Sequence, residues 1–318
     1  MYRFHRTSVP TLRMDRTLTR HQHVSTVVMW IHVGGRDVAE FRFGNLAGRA
    51  VLVDGTDYWD LATLSNGSIA SDPMVALTKT REINHIARDI LAMEPSGVYE
   101  PSALLAPVPS PSKVFAIGLN YKLHAEESSM DVPENPVVFT KFPSCITGPH
   151  SSVLLRGQAV DYEAEVVIVI GEGGRDIPRA RAWDHVFGIT AGQDVSDRVV
   201  QFASKPPHFD LGKSFDTYGP IGPVIVSPDS LDNRDAIALS CTVNGEERQR
   251  DTTANLIFDV PTLIEYISRV TTLLPGDLIF TGTPAGVGAS SKRFLVDGDV
   301  IVTNVEGVGT MSNTCRVA

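Results

Sequence analysis

Asp161-Tyr162-Glu163-Ala164-Glu165 runs directly into Val166-Val167-Ile168-Val169-Ile170-Gly171. Acidic residues alternate, and then the segment turns wholly apolar, as a strand does on entering a core. Side chains two apart share one face of a strand. Asp161, Glu163 and Glu165 are therefore expected on a common face, neighbouring Cα atoms roughly 6–7 Å apart. Two carboxylates about 5 Å apart repel by roughly 3 kcal/mol even at an effective dielectric of about 20. Such a cluster at the mouth of a buried strand calls for a cation, and so for a metal-assisted enzyme.

Working outward, the chain from Lys113 onward is rich in short β runs. Strands are expected over 114–117, 137–140, 163–170, 187–191, 224–226, 239–243, 278–281 and 300–305, with turns at Asn244-Gly245 and Asp297-Gly298. Asp259 and Pro261 open one clear helix, with Leu263, Ile267 and Val270 on a stripe and Pro275-Gly276 as the stop. Many strands and few helices disfavour a doubly wound parallel sheet and suit a mixed-β roll or barrel. Before this region, 28–33 and 50–53 read as strands and Asp54-Gly55 as a hairpin turn. A helix is expected from Ser71-Asp72-Pro73 to near Met93. The expected domains are an extension over 1–28, a small α+β domain over 29–94, a Pro- and Ser-rich linker over 95–112 and a catalytic β domain over 113–318.

The net charge of −9 argues against a nucleic-acid partner. No apolar run reaches the roughly 18–20 residues of a membrane span. Cys145, Cys241 and Cys315 lack zinc or disulfide spacing, which fits a reducing, cytoplasmic setting. Residues 1–28 hold five arginines and a single acid, Asp15. That composition resembles an organelle transit peptide. It equally suits a flexible extension, or a start placed ahead of a true beginning at Met29.

Four segments carry polar residues that a fold alone does not need. In Tyr121-Lys122-Leu123-His124-Ala125-Glu126-Glu127, His124 and Glu127 sit at i and i+3 on a helical turn. A carboxylate holding one imidazole nitrogen leaves the other to take a proton from water; an ordinary charged surface helix is the alternative. Glu163 and Glu165 offer oxygen donors of the kind that suit Mg²⁺, Mn²⁺ or Ca²⁺ rather than zinc, or else mark a solvated strand edge. Asp194, in Gly192-Gln193-Asp194-Val195-Ser196-Asp197-Arg198, is either a third oxygen ligand or a helix cap. Finally, Gly212-Lys213-Ser214-Phe215-Asp216 pairs with Thr281-Gly282-Thr283-Pro284-Ala285-Gly286-Val287-Gly288. That Gly- and Thr-rich loop can aim N–H groups at an anion, and Lys213 can neutralise a carboxylate or a developing enolate. A tight turn and a surface lysine are the plain alternative.

Together and in this order, these segments resemble the fumarylacetoacetate hydrolase family, over about residues 113–318. The resemblance implies an α+β, mostly β fold: a mixed β-sandwich roll behind a small N-terminal α+β domain, usually in a homodimer. It implies Mg²⁺ or Mn²⁺ on Glu163, Glu165 and Asp194, with Ca²⁺ able to take the site in crystals, and Asp161 as their neighbour. It gives His124 and Glu127 the role of a water-activating dyad on a lid, and Lys213 that of the active-site lysine. Tyr121, Arg198, Gln201 and Thr283 fall to substrate binding. Gln193, Asp197 and Val199 depart from the family's usual run around the third ligand. The implied reaction is hydrolytic cleavage of a carbon–carbon bond in a 1,3-dicarbonyl 2-oxo acid such as an acylpyruvate, through an enolate. Tautomerisation of 2-hydroxymuconate-type acids and decarboxylation of oxaloacetate use the same site. A non-catalytic β protein with structural Ca²⁺ is the rival from another class.

Overall fold

The computed structural model describes residues 39–128 and 131–318. The extension 1–28 and the strand expected over 28–33 lie outside the described residues. Within them the chain is mostly strand, in mixed sheets, with short helices between.

Ala164–Ile170 is central to the largest sheet, which has 12 strands among the described residues. It pairs antiparallel with Val186–Gln193 on one side and Leu278–Phe280 on the other. One flank continues through Gly219–Val226 to Arg42–Leu46; the other continues through Val114–Gly118 to Val137–Thr140. Leu278–Phe280 and Val114–Gly118 run parallel, which makes the sheet mixed. Residues 42–60 belong to the same sheet, since Phe43 of Arg42–Leu46 lies opposite Ile225.

The apolar run is explained by burial on both faces. Val166, Ile168 and Ile170 pack in one core with Ile189, Val224 and Leu263. Val167 and Val169 pack in another with Phe43, Leu52 and Phe280. Each such side chain contributes roughly 1.5–3 kcal/mol relative to exposure. A second sheet of five strands runs Glu246–Thr252, Ala238–Val243, Val300–Val305, Gly309–Val317, Val153–Leu155. Its first hairpin turns at Asn244 and Gly245, with φ of 53° and 80°, the double positive φ of a two-residue turn that Asn-Gly favours.

The helix Val260–Val270 begins where expected, with Asp259 accepting from the Thr262 N–H. The single helix expected from Asp72 to Met93 is instead broken. Asp72 caps Pro73–Ala76, a 3₁₀ turn follows at Leu77–Lys79, and an α-helix resumes at Thr80–Ala87. Thr78 and Thr80 turn their hydroxyls back onto the Val75 and Leu77 carbonyls, a local competition that disfavours a continuous helix.

Candidate active site

Strand register assembles the acidic centre. Ala164 lies opposite Gln193 and Glu165 opposite Gly192. One residue further on, the Asp194 N–H donates to the Glu163 carbonyl at 2.8 Å. Gly192 makes the approach possible, because a Cβ there would stand 2.5 Å from Val167 Cγ2. Glu163, Glu165 and Asp194 are all buried and each offers an oxygen within 4.8 Å of the others. Three carboxylates converging away from water fit a hard divalent cation. Asp161 leaves the shared face: Val160–Asp161 pairs with Ser196–Asp197, and Asp161 Oδ2 accepts from Arg198 Nε and Nη2 at 2.9 and 2.7 Å. The helix-cap alternative for Asp194 falls to Asp197, whose carboxylate accepts from the Val199 and Val200 N–H groups.

The other two departures from the family run also have places. Gln193 accepts from the Glu163 N–H at 3.0 Å and donates to Thr303 Oγ1 at 2.8 Å, tying the acidic strand to the second sheet. Val199 is solvent-exposed.

Cations surround the carboxylates. Lys213 Nζ donates to Glu163 Oε2, Asp194 Oδ2 and Ser196 Oγ at 2.7, 2.7 and 2.9 Å. Arg198 Nη2 lies 2.7 Å from Glu163 Oε1. Burial would raise the Glu163 pKa, but Lys213 and Arg198 outweigh it and hold this carboxyl well below the usual range. Burial together with the Asp194 and Glu163 charges pushes Glu165 well above it, against one N–H from Gly282. Burial would lower the Lys213 pKa, yet Asp194 and Glu163 raise it, so it stays an ammonium.

Above the centre lies a cavity of about 320 Å³, lined by His124, Glu127, Glu163, Arg198, Gln201 and Lys213 among others. The helix Lys122–Glu127 supplies the first two. His124 Nδ1 is 3.4 Å from Glu127 Oε2, and both Glu127 oxygens accept from the Gly286 N–H, at 3.0 and 3.1 Å. Gly286 has φ of 104°, and a Cβ there would stand 1.9 Å from the Arg248 carbonyl oxygen, so only glycine suits the position. Arg198 Nη1 donates to Gln201 Oε1 at 2.9 Å. Thr283 also lines the cavity, but its hydroxyl donates to the Ala164 carbonyl and accepts from Gln249 Nε2.

Tyr121 stands apart from the other expected contacts. It is fully buried in the main core, outside the cavity lining, and its hydroxyl has no hydrogen-bond partner among the described residues. Asn120 pulls the chain inward there, donating to the Phe258 and Thr281 carbonyls. Some site residues escaped the sequence reading, among them the cavity-lining Phe139 and Phe202 and, at the acidic centre, Lys141. Lys141 is fully buried, and its Nζ donates to Asp194 Oδ1 at 2.7 Å and to the Lys213 carbonyl. Its only signal is a lysine one residue beyond the apolar run Val137-Val138-Phe139, after Thr140.

Fold and site define an enzyme whose centre is a cluster of oxygen donors. Residues 113–316 match the family model described as fumarylacetoacetate (FAA) hydrolase C-terminal, and the chain belongs to that family. It is 43% identical over 219 residues to the oxaloacetate tautomerase YisK of Bacillus subtilis (strain 168), covering 66% of this chain and 72% of that one. The solved fumarylacetoacetate hydrolase of Exiguobacterium antarcticum matches with a TM-score of 0.75 and 33% identity, covering 88% of this chain and 99% of that one. The maleylpyruvate hydrolase of Sphingobium sp. SYK-6, solved with manganese(II) and pyruvate, matches with a TM-score of 0.72 and 29% identity, covering 87% and 99%. Among the described residues, no helix is long and apolar enough to cross a membrane.

Proposed function

We propose that this enzyme, with Mg²⁺ or Mn²⁺, interconverts the keto and enol forms of a small 2-oxo dicarboxylic acid of the oxaloacetate type. One observation carries the reading: a cluster of three buried carboxylates reaches, through Glu163, a cavity whose walls hold a His–Glu dyad and two cations. A volume of about 320 Å³ is at the small end for ligand sites, which suits a compact acid. The similarity to YisK supports the tautomerase reaction within that frame.

A divalent ion on Glu163, Glu165 and Asp194 would supply Lewis acidity to the 2-oxo-carboxylate end of the substrate. The residues do the rest. Arg198, held by Asp161, and Gln201 bind the carboxylate ends. Glu127 holds His124 Nδ1, which leaves Nε2 to carry a proton to or from C3. As that proton leaves, the C–H electron pair becomes the C2=C3 bond and charge moves to O2. The Lys213 ammonium stabilises that charge, and return of the proton from His124 to O2 completes the enol. Helix Lys122–Glu127, tied to Gly286, limits water at the reacting carbons.

Hydrolytic cleavage of an acylpyruvate is the second reading. It is favoured by the same dyad, which can activate water, and by the likeness to a maleylpyruvate hydrolase. The assay follows loss of enol ultraviolet absorbance from oxaloacetate with Mg²⁺ and then with EDTA, and pyruvate release from acylpyruvates in parallel. Metal-dependent acceleration of enol loss above the uncatalysed rate supports the first reading. Pyruvate release without it moves the assignment to the second. A homodimer belongs to the same proposal, and a single-chain mass by light scattering would overturn it.

A further inference from the structure

The cavity has a second wall that the chemistry at the acidic centre does not use. Phe139 lies on the edge strand Val137–Thr140, Phe209 opens the short helix Phe209–Gly212, and Phe202 follows the helix Arg198–Gln201. The two helices touch closely because position 212 is glycine: a Cβ there would stand 2.6 Å from the Gln201 nitrogen. The Thr140 N–H donates to Asp210 Oδ1 at 2.9 Å and ties the short helix to the strand. All three rings line the cavity. They form one row: the Phe139 and Phe209 ring centroids are 5.5 Å apart and those of Phe209 and Phe202 5.9 Å, both pairs edge to face. At one end Lys213 Nζ stands 5.0 Å from the Phe139 centroid, and at the other Phe202 is 47% exposed. The row thus runs from the active-site lysine out to solvent.

Such a wall offers a second carboxylate neither donor nor charge, and burying one against it would cost free energy, whereas a phenyl or alkyl group gains by leaving water there. Among the described lining residues, fixed positive charge comes from Arg198 and Lys213, and both already face carboxylates of the centre. Leu119 and Val287 add to the apolar lining. We propose that the aromatic row is a specificity subsite, through which the same centre also interconverts the keto and enol forms of 2-oxo acids that carry an aromatic or aliphatic group on C3 in place of the second carboxylate. The inference rests on the metal-dependent enolisation reading above and extends its substrate class. The step balances as before. In ketonisation the C2=C3 pair takes a proton from His124 to form the C3–H bond, the O2–H pair becomes the second C2–O2 bond, and the O2 proton returns to His124.

The test follows loss of enol ultraviolet absorbance from phenylpyruvate and, in parallel, from oxaloacetate, with the full-length protein and Mg²⁺. The wild-type protein should accelerate both above the uncatalysed rate. Phe209→Ser takes the middle ring out of the row. It should lower kcat/KM for phenylpyruvate relative to oxaloacetate by about tenfold or more, mostly through KM. Phe209→Leu, which keeps an apolar side chain, should restore most of that ratio. Phe202→Ser, at the exposed end of the row, replaces the first serine variant if thermal melting shows the latter unfolded. Acceleration of oxaloacetate but not of phenylpyruvate would overturn the proposal and leave the reading above intact. An unchanged ratio in both serine variants would likewise overturn the proposal alone. Acceleration of neither substrate would overturn both.

Discussion

Asp161 and Arg198 form a two-pronged buried pair, with Oδ2 of the acid 2.9 Å from Nε and 2.7 Å from Nη2 of the guanidinium. The same carboxylate accepts the Gly288 and Ala289 N–H groups at 2.7 and 2.8 Å. The acid that opens the diagnostic stretch thus serves the site indirectly, by aiming Arg198 and by anchoring the Gly-rich loop. Breaking a buried pair by removing one partner costs about 3–5 kcal/mol. Asp161→Asn keeps the shape and removes the charge, so it should cost somewhat less than that and raise KM more than it lowers kcat. Urea unfolding and steady-state kinetics check both. An unchanged KM would mean Arg198 needs no help from Asp161.

His124→Ala should lower turnover by about 10²–10⁴, the usual scale of general acid–base catalysis. Glu127→Gln should be milder in kcat, since a neutral amide can still accept from Gly286. Both variants should bind Mn²⁺ as the parent does, because neither residue is among the three clustered carboxylates. Electron paramagnetic resonance of free Mn²⁺ measures that, and a loss of ion binding in either variant would contradict the assignment.

The acidic centre was legible because its chemistry is local: alternation along one strand, then an acid after a strand end. Asp161 was misplaced on the shared face because period-two reading assumes an unbroken strand, whereas the strand proper begins at Ala164. Lys141 was illegible because a lysine ending an apolar edge strand reads as protection against aggregation, and only the fold turns it onto Asp194. The strand Glu246–Thr252 escaped for the converse reason. It lies at a sheet edge and its sequence, Glu-Glu-Arg-Gln-Arg-Asp-Thr, carries charge instead of apolar alternation. Tyr121 shares a motif with His124, but the Asn120 bonds to the Phe258 and Thr281 carbonyls fix which of the two turns inward.

Acid should loosen the helix that carries the dyad. Burial would raise the Glu127 pKa, but bonds from His124, Gly286 and Ser290 leave it below the ordinary value. A carboxyl whose pKa is depressed on folding adds stability above its unfolded value of about 4.3, and that stability is lost as pH falls through the folded value. Hydrogen exchange of the Gly286 N–H, corrected for intrinsic rate, should therefore show protection at pH 6 that drops below about pH 4. In Glu127→Gln the drop should vanish. Equal protection at both pH values in the parent would show that the Glu127 carboxylate does not hold this contact.

Removing the divalent ion should cost stability that a mere surface ion would not. Glu165 is the carboxylate pushed upward by burial and by its acidic neighbours, with no cationic hydrogen-bond partner among the described residues. An ion bound only to the folded chain stabilises it by about 2.7 kcal/mol at a free concentration 100 times its Kd. For a chain of this size that amounts to several degrees in Tm. EDTA should thus lower the melting temperature of Mg²⁺-loaded protein by that amount, and Glu165→Gln should melt at one temperature with or without Mg²⁺. Calorimetric melts of both proteins decide it, and a magnesium-dependent Tm that survives in Glu165→Gln would place the ion elsewhere.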